Sequence, residues 1–151
     1  MGEPHGTNPR GPTLRTLDME YTTMTLVDEY RAGACNIGPA EIARRRWTGH
    51  AGSAVTLAAA AVLIGADAAA WLRLGLFVPA SVAAAGYLQA ATRFCADYGW
   101  RGVFNFGQAG HGNASRVADR QARAADRRKA LGIMGASAAM GLAVTLLALV
   151  L

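Results

Sequence analysis

Residues 130–151 read ALGIMGASAAMGLAVTLLALVL, 22 residues without a charge. A run of that length matches the hydrocarbon core of a bilayer, about 30 Å thick at 1.5 Å of helix rise per residue. Working back, residues 51–92 hold only two charged side chains, Asp67 and Arg73. These divide the stretch into two apolar runs, about 47–66 and about 74–92, joined by a short loop that carries Trp71. The whole-chain hydrophobic fraction of 52% would also fit a soluble protein. The distribution along the chain decides instead. It predicts an all-α integral membrane protein with three transmembrane helices, a helical hairpin plus a C-terminal span, and a cytoplasmic amphipathic basic helix.

Four segments follow. Residues 1–34 form an N-terminal cytoplasmic tail, partly disordered or interfacial. Residues 35–107 form the two-helix membrane hairpin domain. Residues 108–129 form the basic helix, and residues 130–151 the third span. The opening MGEPHGTNPRGPTLRT lacks the apolar core of a secretory signal. Gly6 stands where a myristoylation signal needs Ser or Thr. Within the tail, Tyr21, Met24, Val27 and Tyr30 fall at three-residue spacing. That fits a segment lying on the membrane surface or an irregular linker.

Gly38-Pro39 signals a turn, after which Pro39 suits the first turn of a helix and Glu41 complements its positive end. Arg44, Arg45, Arg46 and Trp47 then read as a headgroup-level anchor. Beyond the second span, Phe94, Tyr98, Trp100, Phe104 and Phe106 place five aromatics in thirteen residues, interleaved with Arg93, Asp97 and Arg101. This is the composition of an interfacial collar. A β-hairpin is disfavoured, because no other segment offers it a sheet. Asn113 or Ser115 is expected to cap the basic helix, which would carry Arg116, Arg120, Arg123 and Arg127 on one face. In the third span Gly132, Ala136 and Met140, with Gly135 and Ala139 beside them, favour close helix packing.

Of 15 Lys and Arg residues, only Arg73 lies between the first two spans, and none follows Lys129. The other 14 fall on one side of a three-span chain. The positive-inside rule makes that side cytoplasmic, with the N-terminus inside and the C-terminus outside. The net charge of +5 then reflects topology, and nucleic acid is not an expected partner.

Residues 36–107 resemble the small bacterial two-helix inner-membrane domain of unknown function that occurs alone or fused to a rhodanese domain. The matching residues are Asn36-Ile37-Gly38, Glu41, Arg44-Arg45 and Gly49 before the first span, and Phe94-Cys95-Ala96-Asp97-Tyr98-Gly99 after the second. The chain departs from that pattern at Ala96, where the family has Pro, and in adding a basic helix and a third span. No rhodanese domain is present in these 151 residues. The resemblance implies the hairpin topology, and the rhodanese association makes sulfur chemistry conceivable.

Two cysteines, Cys35 and Cys95, cannot staple a fold. The hairpin would bring them near each other at the cytoplasmic surface, as a thiol pair for sulfur or electron transfer or as small buried hydrophobes. His5, His50 and His111 fit no ligand spacing with them. No metal or cofactor is expected, while a bound lipid or pigment stays open. Asp67 and Arg73 are expected to remain hydrated at a turn, and Gln89 to hydrogen-bond between helices. The arginine stripe reads equally as a solvated face, an anionic-lipid site or a dock for an acidic partner. The function expected is that of a non-catalytic accessory subunit of a larger membrane complex, respiratory or photosynthetic. The alternatives are thiol or sulfur transfer through Cys35 and Cys95, and membrane organisation by binding anionic lipids.

Overall fold

The computed structural model describes residues 30–110 and 114–151. The expectations for the tail before Tyr30, for His111 and for an Asn113 cap lie outside them.

Helix α1 spans Pro39–Gly65 without a break, so the arginine cluster and the first span form one rod. Pro39 occupies the first turn, where its missing N–H removes no helical bond. Gly38 precedes it because a side chain there would reach 2.8 Å from the carbonyl oxygen of Phe106. The second span is a short helix α2 (Ala70–Arg73), a 3₁₀ turn (Leu74–Leu76) and a helix α3 (Phe77–Ala91). Pro79 accounts for the irregular turn. Its ring would crowd the carbonyl of the residue four positions back, Gly75, in a continuous α-helix.

Both apolar helices end in the same way. After α1, Asp67 takes a left-handed φ of 48°, with its N–H bonded to Ile64 and that of Ala68 bonded to Leu63. After α3, Arg93 takes φ 51°, with its N–H directed at Ala90 and that of Phe94 bonded to Gln89. These are Schellman closures, which usually carry glycine.

A short helix α4 (Ala96–Arg101) follows, then strand β1 (Val103–Phe104) and strand β2 (Ser115–Arg116). The strands pair antiparallel, Val103 opposite Arg116 and Phe104 opposite Ser115. The collar therefore does contain a small ladder, contrary to the sequence expectation. Its partner strand comes from the segment assigned to the basic helix. The basic helix and the third span are also not separate elements. Helix α5 runs unbroken over Arg120–Val150, and Asp119 caps it by accepting the Ala122 N–H at 2.8 Å. Ser115 is thus not the cap, and Arg116 does not belong to a helical stripe.

Three helical stretches, Pro39–Gly65, Ala70–Ala91 and Arg120–Val150, are long and apolar enough to cross a membrane. They form a row with α3 in the middle. Helices α1 and α5 each pack along α3 and make no substantial contact with each other. Small residues set the spacing. At Gly86 a side chain would collide with the Gly49 backbone, and at Gly52 it would meet Ala83 N at 2.8 Å. On the other side Gly141 lies against Ser81 and the Phe77 carbonyl.

Three buried hydroxyls inside the helices turn back to their own chain. Thr56 bonds the Gly52 carbonyl, Ser137 that of Ile133 and Thr145 that of Gly141, at 2.7, 2.7 and 2.8 Å. Apolar surroundings demand this, since an unpaired polar group there costs several kcal/mol. Gln89 follows a related rule rather than the expected interhelical one. Its amide N–H bonds the Ala85 carbonyl of its own helix, and its side-chain oxygen accepts the Ala96 N–H that opens α4.

Candidate functional site

The most organised part of the molecule is a polar cap over the charged ends of the helices. Four buried polar side chains build it: Asn36, Glu41, Asn105 and Asp126. Asn36 grips Cys95 from both sides of one amide. Its Oδ1 accepts the Cys95 N–H at 2.7 Å and its Nδ2 donates to the Cys95 carbonyl at 3.1 Å. Its backbone N–H reaches the Arg93 carbonyl, and its carbonyl accepts the Asn105 N–H. The segment before α1 is thereby sewn between the end of α3 and the collar.

Glu41 is fully buried in the first turn of α1. Its Oε1 accepts the Tyr98 hydroxyl at 3.1 Å and the Gly110 N–H at 2.7 Å. Arg44 and Arg45 lie 3.6 and 3.7 Å from its two oxygens. A buried carboxylate needs such partners to remain charged. Arg45 also donates to the Cys95 sulfur at 3.0 Å. Burial pushes the Cys95 thiol's pKa up, against the opposing pull of the Tyr98 N–H and the Arg45 guanidinium. The thiol is therefore kept protonated. Burial likewise raises Tyr98; its hydrogen bond with Asn105 pulls the other way, while the Glu41 carboxylate adds to the rise.

Asp126, fully buried amid the basic turns of α5, accepts the Tyr30 hydroxyl at 2.8 Å and the Gly33 N–H at 2.7 Å. Burial first, and then Asp126, drive Tyr30 well above the ordinary tyrosine range. Asn105 closes the loop after β1, bonding the carbonyls of Gln108 and Gly110 and the Gly107 N–H.

The arginines expected to act together are divided by this arrangement. Arg44 and Arg45 are committed to Glu41, whereas Arg46 is exposed with no ion pair among the described residues. Arg116 is exposed on β2. Arg123 Nη1 donates to the Val117 and Ala118 carbonyls at 2.8 and 3.0 Å. Arg127 lies over the Trp100 ring, 6.0 Å from its centre. Arg120 is solvent-exposed at the helix start. Trp47 and Trp100 are exposed, 74% and 54%.

Neither Cys35 nor Cys95 is in a disulfide; Cys95 is buried and Cys35 half-buried. Among the described residues no cluster of three His, Cys, Asp or Glu side chains suits a metal. At the opposite end Arg73 is buried rather than hydrated. It donates to the Ala68 carbonyl at 3.0 Å and the Ala148 carbonyl at 3.3 Å, and pairs with Asp67 at 3.3 Å.

The roles of Asn36, Glu41, Asn105 and Asp126 as cap builders were not read from sequence. Glu41 and Asn36 had been noted for helix polarity and for the family resemblance. Asp126 stands among arginines, where an acid looks like part of a solvated face. The residues carrying that resemblance do meet in space, since Asn36, Glu41, Arg45, Cys95 and Tyr98 form one contiguous cluster. No family model, no curated protein and no solved structure matches the chain.

Proposed function

We propose that this chain is a non-catalytic integral membrane subunit that docks α5 against a partner membrane protein. One observation carries the reading. The buried stripe of α5, Ala130, Ile133, Ser137, Gly141, Thr145 and Ala148, faces α3 and the segments at its two ends. Gly132, Ala136 and Met140, with Gly135 and Ala139 beside them, are the residues expected to pack; all five are exposed, and Gly132, Gly135 and Ala139 lie on the opposite face. A side chain added at Gly132 or Gly135 would meet nothing within 4 Å. Small residues at such spacing let a second helix approach closely in lipid, and no helix among the described residues covers that face.

The charge distribution supports a bacterial inner-membrane orientation, with the polar cap in the cytoplasm, the N-terminus inside and Leu151 outside. Exposed Trp47 and Trp100 at the cap end and Trp71 at the other end suit the two interfaces. An energy-converting assembly remains the proposed host. The family resemblance also remains a proposal, supported by the meeting of its motif residues in the cap. The burial of Cys95 and its raised pKa favour a structural thiol over sulfur transfer.

Extraction in a mild detergent followed by native sizing is the test. Wild type is expected to elute with a partner chain, and Gly132→Leu/Gly135→Leu to elute without it while retaining its helicity. A wild-type chain that runs alone, or a variant that keeps the partner, overturns the proposal.

A further inference from the structure

We propose that the chain holds one anionic phospholipid on a single face of the α1–α3 pair, with its phosphate between Arg46 and Arg93 and an acyl chain along α3. At the cap end a crevice of about 420 Å³ has an apolar floor that includes Ile42, Ala43, Ala90 and Ala91. Arg46 and Arg93 stand on its walls, both exposed and without an ion pair among the described residues. Two uncommitted guanidiniums above an apolar floor suit a phosphate diester joined to hydrocarbon.

Helical spacing extends the crevice toward the middle of the spans. A second hollow of about 310 Å³ is lined by Ser53, Thr56 and Leu57 of α1, by Ala80, Ala83, Ala84 and Tyr87 of α3, and by Met140 and Val144 of α5. On α1 the positions 42, 46, 53 and 57 recur at multiples of three and four, which is one helix face. On α3 the positions 91, 87, 84 and 80 do the same. Ten residues from Ala90 to Ala80 rise about 15 Å, the reach of much of an acyl chain. The crevice and this hollow together form the proposed channel for the acyl chain, bordered by α1 and α5 on either side of α3. The His50–Tyr87 hydrogen bond, 2.8 Å, ties α1 to α3 at the midpoint. Arg46 is the one arginine of its cluster without an ion pair among the described residues. Arg93 closes α3 in a left-handed conformation where glycine is usual.

The test is lipid titration of the purified full chain, read by native mass spectrometry. Dioleoyl phosphatidylglycerol is expected to bind at one site at least about ten-fold more tightly than dioleoyl phosphatidylcholine. Arg46→Gln/Arg93→Gln is expected to weaken it about 30-fold, two factors of about five. Arg120→Gln/Arg128→Gln, equal in charge lost, should change it less than about three-fold. Ala43→Trp fills the crevice without removing charge and should abolish the site. Equal binding of both lipids, equal loss in both arginine pairs, or wild-type binding by Ala43→Trp overturns the proposal. So does displacement by inorganic phosphate, or equal affinity for a dihexanoyl lipid, because either outcome assigns the arginines to free phosphate and leaves the channel empty.

Discussion

Glu41 shows how much of the cap depends on single side chains. One carboxylate collects a phenol, a backbone N–H and two guanidiniums, contributed by the start of α1, by α4 and by the loop after β1. Glu41→Ala should cost about 3 kcal/mol, the usual result of orphaning a buried charge. Glu41→Gln keeps an acceptor for Tyr98 and Gly110 and should cost less. Denaturant titration in detergent micelles checks both. Cys95 supports a different prediction. Its folded pKa is raised, so the unfolded chain loses the thiol proton first. Stability should be complete below the ordinary thiol range near pH 8.5 and should fall as pH rises above it. In Cys95→Ala that decline should move up to the tyrosine range. A maleimide should label Cys35 in the folded protein and reach Cys95 only after unfolding. Apart from the pairs of Glu41 with Arg44 and Arg45, which stand at helical spacing, none of these contacts was legible in the sequence, for a physical reason. The partners lie 59, 57, 69 and 96 residues apart, and no local period encodes them.

At the scale of the element, the three apolar runs were legible because bilayer thickness imposes a length and an absence of charge that composition alone reveals. The span limits near 66 and 92 fall within a residue of the helix ends at Gly65 and Ala91. Which face of each helix packs was not legible. In the third span the sequence points to Gly132, Ala136 and Met140 with Gly135 and Ala139 beside them, yet small residues recur on the face of Gly141 as well. The structure assigns Gly141 to the inner face and Gly132 and Gly135 to the outer one. Alanine scanning of these glycines should separate the two. Gly135→Ala should be neutral or stabilising by up to about 1 kcal/mol, through helix propensity alone. Gly141→Ala should destabilise by about 1–3 kcal/mol, because its methyl would have to displace Ser81. The basic segment was misread for a related reason. Arg116, Arg120, Arg123 and Arg127 keep helical spacing, yet Arg116 pairs with Val103 in the ladder and the helix begins only at Arg120.

For the whole molecule, the two ends are held by different means. The cap end is a network of side chains from many elements. The far end rests on Arg73, whose guanidinium joins the α1–α2 turn to the Ala148 carbonyl near the end of α5. Arg73→Ala should leave the cap intact and loosen the far end. Hydrogen exchange should then rise at 66–69 and in the last turn of α5, with little change around Asn36 and Glu41. The row of helices also implies an order of biogenesis. Helices α1 and α3 can pair as soon as both have left the ribosome, through the Gly49–Gly86 contact. Helix α5 has no seat until α3 and α4 are in place, because those two supply most of its packing surface. Asp126 and Tyr30 then join the last helix to the earliest described residue. The cap can therefore close only once the first turns of α5 have been made, well after its other parts.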